Sequence, residues 1–112
     1  MIEENLNKII KYKIELLIIT KFKSLEEYDN KLLKDLTKKQ DEHLNKLYQK
    51  SLIYNIPINL DKIDIVNKDI VELLKSIISI EKETIKKCNN FGLRQSIIHC
   101  LADDETFLYY LR

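Results

Sequence analysis

The sequence contains few residues that interrupt helices. Its 112 residues include one glycine, Gly92, and one proline, Pro57. An all-β domain needs frequent turns, and turns favour glycine and proline, so their scarcity argues against a fold built from many short strands. The length fits one domain with no room for a separate catalytic lobe. We therefore predict an all-α fold in which residues 1–112 form a single domain.

The sequence also lacks an excess of charge of one sign and a long apolar run. Its 19 basic and 18 acidic residues are interspersed and sum to +1. A charge this balanced creates no field that would attract nucleic acid or an anionic membrane. No apolar run approaches the ~20 residues that a membrane span needs, and the N-terminus lacks a basic segment followed by an apolar one. We predict a cytoplasmic protein without nucleic-acid or membrane partners.

Cysteine is scarce as well, with Cys88 and Cys100 the two present. Two cysteines are too few for a disulfide framework or for a zinc site with four cysteine ligands. Both fall on apolar stripes of predicted helices. We predict that they are reduced residues of the core.

Apolar side chains recur at helical spacing in four segments of the chain. The first predicted helix covers residues 3–22. The second follows Ser24, which begins a segment with capping-box spacing, and continues through a stripe that includes Tyr28 to about residue 54. The third is predicted to be capped by Asn67, and the fourth to begin near Phe91. Four amphipathic helices indicate a helical bundle.

The connection over residues 55–67 is unusual because it is too apolar for a flexible linker and too irregular for a helix. Fully extended it spans about 43 Å, close to the ~45 Å length of a helix of about 30 residues. It can therefore cross the whole bundle and make the second and third helices parallel. This is the connectivity of ferritin-like bundles, and we predict a four-helix bundle of that type with a long crossover.

Each predicted helix carries a polar residue in the middle of its apolar stripe. Burying a charge without a partner costs several kcal/mol, so these side chains are expected to meet in one cluster. Glu15, by contrast, is predicted to face outward, as are Asp41 and Glu42. The inward residues are Lys13, Gln40, His43, Glu81 and Asp104.

Five blocks of the sequence carry a resemblance to a known family: Leu6–Ile10, His43–Leu47, Pro57–Leu60, Asp69–Glu81 and Phe91–Glu105. In their order and spacing these blocks resemble bacterioferritin, a family of ferritin-like di-iron four-helix bundles. The resemblance implies an iron-storage or iron-homeostasis function, ferroxidase chemistry and an oligomeric shell. The partner it implies is a second copy of the chain or a ferritin-like sister subunit.

The resemblance also implies a metal site that has lost ligands. It places Lys13 and Gln40 where the family has carboxylates, and Phe107 where it has a histidine. His43 and Glu81 match family ligands unchanged.

Asp104 is a shortened counterpart of a family glutamate. The family's haem-ligating methionine falls at Asp41, and Met1 is the one methionine of the chain, so haem is not expected.

Three interpretations of the inward cluster follow. In the first, Lys13 and a protonated His43 neutralise Glu81 and Asp104 in a hydrogen-bonded network, and the chain is a non-catalytic structural or interaction subunit. In the second, a single metal ion, with iron the candidate, is held by His43, Glu81 and Asp104. In the third, a working dinuclear ferroxidase survives, which requires an outward glutamate to rotate inward. The candidates for that rotation are Glu15 and Glu105.

Two further groups of residues have side chains that could form sites. His99, Cys100 and Asp103 are close in sequence and have the chemistry of metal ligands, but their directions diverge around a helix. Tyr109 and Tyr110 are interpreted as interface or capping aromatics, with a redox role as the alternative.

Overall fold

The computed structural model describes residues 2–27, 29–65 and 68–112, and these ranges contain helices and no strand. The prediction of an all-α four-helix bundle is confirmed. None of the helices in these ranges combines the length and the apolar character needed to cross a bilayer. The elements are α1 (Ile2–Glu26), α2 (Lys31–Ile53), α3 (Ile70–Lys87) and α4 (Phe91–Leu111).

The boundary between the first two helices differs from the prediction. Ser24 lies inside α1, which continues to Glu26, so the capping box predicted at Ser24 is wrong. Asn30 caps α2 instead, because its side-chain oxygen accepts a hydrogen bond from the Leu33 amide at 3.1 Å. Tyr28, assigned to the stripe of the second helix, lies outside the described residues.

The start of α3 also differs by a few residues. Asp69 is the N-cap, and its carboxylate accepts a hydrogen bond from the Glu72 amide at 3.0 Å. Asn67, the predicted cap, lies outside the described residues, and the helix begins later than it implied. The predicted start of α4 at Phe91 is confirmed.

The helices form a four-cornered bundle in which α1 and α4 each pack against both α2 and α3. Within the described part of the chain, the diagonal pairs, α1 with α4 and α2 with α3, make no close backbone contact. Cys88 and Cys100 are buried and unpaired, as predicted. Two apolar clusters fill the core, one centred on Leu6, Ile9, Leu47, Leu93 and Ile97, the other on Leu16, Leu36, Leu74, Ile77 and Phe107.

A Schellman motif ends α2 and starts the crossover. Asn55 has φ 55°, in the left-handed region that asparagine tolerates better than most residues. The Asn55 amide donates to the Leu52 carbonyl at 3.3 Å, and the Ile56 amide donates to the Ser51 carbonyl at 2.8 Å. The helix therefore stops here for a local reason, and the chain turns back along the bundle.

The crossover runs in extended form along the outside of α1. Near its start, the Asn7 amide group donates to the Pro57 carbonyl at 2.9 Å, and the Asn7 side-chain oxygen accepts from the Asn59 amide. Further along, the Asp64 amide donates to Glu15 Oε2 at 2.8 Å. Residues 7 and 15 are about 12 Å apart along the helix. The described part of the connection therefore travels lengthwise, as the sequence predicted.

Glu15 does not face outward as predicted. Its side chain is fully buried, although it points away from the polar cluster at the centre of the bundle. The crossover covers this face of α1, and Lys68 Nζ lies 3.9 Å from Glu15 Oε1. The angular position of Glu15 on α1 could not reveal its burial, because the residues that cover it belong to the extended crossover and not to a helix.

Replacing Asn7 with alanine is expected to loosen the crossover. The change removes one donor and one acceptor that hold main-chain groups of Pro57 and Asn59, at a cost of about 1 kcal/mol in the free energy of unfolding. Urea denaturation measures this cost. Asn45→Ala on the exposed face of α2 is the matched control, and equal effects of the two changes would contradict an anchoring role for Asn7.

Candidate functional site

The five inward polar side chains predicted from the sequence do converge at the middle of the bundle. Each is at most 2% exposed. Lys13 comes from α1, Gln40 and His43 from α2, Glu81 from α3, and Asp104 from α4. All four helices therefore contribute to one cluster, which lies between the two apolar clusters of the core.

The ammonium group of Lys13 lies at the centre of this cluster. It donates to Asp104 Oδ2 at 2.7 Å, to Gln40 Oε1 at 3.0 Å, and to His43 Nδ1 at 2.9 Å. An ammonium has three hydrogens to donate, so these acceptors satisfy it completely. Glu81 Oε2 lies 3.5 Å from the same nitrogen as an additional ionic neighbour.

A second set of contacts fixes the orientation of the α2 side chains. Gln40 Nε2 donates to Asp104 Oδ1 at 2.8 Å. Because Lys13 can only donate, His43 Nδ1 must accept, which places the imidazole proton on Nε2. His43 Nε2 then donates to Asp103 Oδ2 at 2.8 Å, and the Asp103 side chain is 37% exposed. The cluster thus reaches the protein surface through His43 and Asp103.

Lys13 and Asp104 form the charged pair of the cluster. Burial lowers the pKa of Lys13, but the attraction of the neighbouring acids, chiefly Asp104, is larger, and the net pKa is raised. For Asp104 the directions are reversed. Burial raises its pKa, but the attraction of the Lys13 ammonium is larger, and the net pKa is lowered. Both groups are therefore ionised at neutral pH.

Glu81 differs, because its carboxyl is protonated at neutral pH. Burial is the main cause that raises its pKa to about 9, opposed by the Lys13 charge and reinforced by the neighbouring Asp104. Both of its oxygens are buried, and neither accepts a hydrogen bond from any of the described residues. On burial in such a position, a carboxylate would lose far more hydration free energy than a neutral carboxylic acid.

His43 is neutral, which corrects the expectation that it is protonated. Burial and the Lys13 charge lower its pKa, and together they outweigh the attraction of Asp104 and Asp103. The cluster still sums to zero inside the bundle, but a single pair, Lys13 and Asp104, carries the charge.

The donor set does not fit the iron ions that the resemblance implies. Lys13 Nζ takes one oxygen of Asp104 and the Nδ1 lone pair of His43, the atoms that a metal ion would need. The described residues contain no group of three or more His, Cys, Asp or Glu side chains arranged to hold a metal. Binding of a single metal ion by His43, Glu81 and Asp104 stays a prediction. It requires the Lys13 side chain to move out of the cluster.

The residues that could restore a dinuclear site lie elsewhere. Glu15 is held against the crossover, and Glu105 is an exposed residue whose Oε2 lies 3.6 Å from Lys82 Nζ. Phe107 is buried in the second apolar cluster. Neither glutamate faces the cluster, so the rotation that a ferroxidase requires is absent from this arrangement.

The local group of His99, Cys100 and Asp103 does not converge. His99 is exposed, whereas Cys100 is fully buried. Burial raises the pKa of the Cys100 thiol to about 12. A neutral thiol is a poor metal ligand. Asp103 instead holds His43, a role that sequence analysis missed because it depends on the distance between α2 and α4.

Comparison with known proteins gives one informative relative. No protein-family model matches the chain, and no solved structure matches it at a significant level. An uncharacterized protein of Methanocaldococcus jannaschii, MJ0763, is 46% identical over 116 aligned residues, which cover 98% of this chain and 93% of the relative. Identity at this level over nearly the full length of both proteins establishes common descent and a common fold. The chain therefore belongs to the family of this archaeal protein.

Proposed function

We propose that the chain is a non-catalytic structural or interaction subunit, derived from a bacterioferritin-like bundle, in which the Lys13 ammonium replaces the metal. The observation that carries this proposal is the position of Lys13 Nζ, which donates to three of the inward side chains at 2.7–3.0 Å. An internal cation of this kind neutralises buried acid without a cofactor. The bundle can then fold and bind partners in the absence of iron.

Charge balance supports the proposal. Two ferrous ions carry about +4 and need roughly four carboxylates for neutrality. The cluster offers Glu81 and Asp104, and Lys13 already balances the charge of Asp104. Adding a divalent ion would leave uncompensated positive charge in a buried site, which is costly. The same two acids suit one ammonium well.

Iron storage of the bacterioferritin type is the second candidate. It is favoured by the lengthwise crossover and by the convergence of His43, Glu81 and Asp104 from three different helices. It requires the Lys13 side chain, which is completely buried, to move aside when iron enters. A subunit of this kind could also assemble with a sister subunit that supplies the oxidation chemistry.

Metal analysis of the purified protein separates the two candidates. We expect iron, zinc and manganese well below one ion per chain after incubation with each metal, and no change in the melting temperature. Lys13→Glu is the comparison variant, since it removes the competing cation and restores the carboxylate that the resemblance implies. A native protein that binds about one metal ion per chain would contradict our proposal.

A further inference from the structure

The C-terminal half of α1 has an apolar stripe on the side that faces away from the core. Phe22 and Leu25 are 60% and 78% exposed, and Ile14 and Ile18 are half-buried. At 100° per residue these four positions lie within ~80° of one another, and every other residue of α1 from Tyr12 onward falls outside this arc. An uninterrupted apolar stripe on an outward side is typical of a face that packs against another element. We call Ile14, Ile18, Phe22 and Leu25 the outer α1 stripe.

Beside the outer α1 stripe lies a groove between α1 and α2 in which every charged residue is a lysine. Its volume is about 430 Å³. Lys21, Lys34 and Lys38 are exposed, and none of them forms an ion pair with any of the described residues. We call this the lysine groove, and it is lined by Lys21, Ser24, Leu25, Lys34, Thr37 and Lys38.

The lysine groove lies at the positive end of α2. The first turn of α2 contains no acidic side chain, and Lys31 and Lys34 occupy positions where a helix favours anions. Nearby acids lie outside the groove. Glu26 lines a depression at the α1–α2 turn, Asp35 lines one between α2 and α4, and Asp41 lies further along α2. The groove therefore combines apolar lining with a positive rim that favours a ligand carrying negative charge.

We propose that the lysine groove and the outer α1 stripe bind an acidic amphipathic helix of a partner protein. Apolar residues of such a helix at i, i+3, i+4 and i+7 can pack on the stripe, while aspartate or glutamate on its flank meets the lysines. From residue 14 to residue 25 the stripe is about 16 Å long, which matches about three turns of a helix. This inference rests on the proposed role as an interaction subunit and gives the chemistry of its partner.

A helix suits this surface better than an anionic membrane does. A membrane would cover the end of the bundle, including the exposed Glu26, Glu27 and Asp29 at the α1–α2 turn, and anionic headgroups repel carboxylates. A helix, about 10–12 Å wide, can lie along the outer α1 stripe with its acids toward the lysines of α2 and away from these carboxylates. The groove is shallow and its lysines are exposed, so binding is expected to be weak and sensitive to salt.

Two synthetic helical peptides of about 14 residues test the proposal. The acidic peptide has leucine at i, i+3, i+4 and i+7 and glutamate beside these positions, and the basic peptide has lysine in place of each glutamate. Fluorescence anisotropy should give a Kd on the order of 100 µM for the acidic peptide and a Kd at least about tenfold higher for the basic one. Equal affinity for the two peptides, or no binding of the acidic peptide up to about 1 mM, would overturn the proposal.

Variants of the protein locate the binding surface. Lys34→Glu and Leu25→Ser, both at exposed positions, should each raise the Kd of the acidic peptide about tenfold, with circular dichroism confirming that the helices are intact. Lys46→Glu, at an exposed position of the same helix but outside the lysine groove, is the matched control and should leave the Kd unchanged. If Lys46→Glu raised the Kd as much as Lys34→Glu did, net charge alone would explain the binding and the assignment to this groove would be wrong.

Two further measurements decide between a partner helix and other occupants. Sedimentation equilibrium of the protein alone would identify a second copy as the occupant if wild type self-associated and Leu25→Ser did not. Cosedimentation with vesicles that contain phosphatidylserine would identify a membrane if wild type bound them and Lys34→Glu did not. Either result would overturn the assignment to a partner helix.

The peptide measurements and the metal analysis fail independently. A metal-free protein that does not bind the acidic peptide refutes the docking surface and leaves the role of Lys13 intact. A protein that binds both the peptide and about one metal ion per chain refutes the role of Lys13 and leaves the docking surface intact.

Discussion

Replacing Lys13 with methionine is expected to lower the free energy of unfolding by roughly 3–5 kcal/mol. Methionine fills a similar volume, but it leaves the ionised Asp104 buried without its cation and removes the donor to Gln40 and His43. A protein of this size is stable by about 5–15 kcal/mol, so the loss is a large part of the total. Chemical denaturation followed by circular dichroism measures it.

Two comparisons identify the uncompensated charge as the cause. Lys13→Met combined with Asp104→Asn should recover much of the loss, because the asparagine is neutral and its side-chain oxygen still accepts from Gln40. The deficit of the single variant should also shrink at acidic pH, where Asp104 takes up a proton. Lys38→Met on the exposed face of α2 is the surface control. A double variant no more stable than Lys13→Met alone would show that lost packing dominates.

Replacing Glu81 with glutamine is expected to remove a pH dependence of stability. The folded protein keeps Glu81 protonated up to a pKa of about 9, whereas the unfolded chain ionises near the ordinary value of 4.5. Between these values folding takes up a proton, so wild-type stability falls as the pH rises. Since one pKa unit corresponds to 1.36 kcal/mol, the decline from roughly pH 5 to pH 8 is at most about 4 kcal/mol.

The free energy of unfolding of Glu81→Gln should match that of wild type at roughly pH 5 and exceed it at roughly pH 8. Unfolding titrations at a series of pH values measure both curves. Glu105→Gln is the control on the surface of the same bundle, where the carboxylate is half-exposed and its ion pair with Lys82 contributes little. Parallel curves for wild type and Glu81→Gln would show that Glu81 is ionised in the folded protein.

The helices and the crossover were predictable because they depend on local composition. Apolar residues at helical spacing identified four helices, and the apolar, proline-containing segment after α2 identified an extended crossover. The boundary near Ser24 was not predictable from spacing alone, because the capping-box pattern also occurs within a continuing helix. The hydrogen bond from Leu33 to Asn30, a residue outside the predicted pattern, decides where α2 begins.

The centre of the cluster was predictable for a physical reason, whereas its margins were not. Polar groups on the inner faces of four helices have to meet, since scattering them would bury each without a partner. Glu15 was misplaced because the crossover covers it. The neutral state of His43 depends on its burial and on its distance from the Lys13 ammonium, 2.9 Å, and no pattern of residues along the chain encodes that distance.

The crossover also affects the order in which the molecule can fold. Its anchor on Asn7 joins residues 50 positions apart, and the ion pair of Lys13 with Asp104 joins residues 91 positions apart. A bundle of consecutive hairpins closes mostly short loops, whereas this one must close long ones, and long-range contacts slow folding. During synthesis the α1–α2 hairpin emerges with Lys13 on its apolar side before Asp104, the acidic partner of Lys13 on α4, has been made. The hairpin therefore cannot complete its core until α4 has left the ribosome.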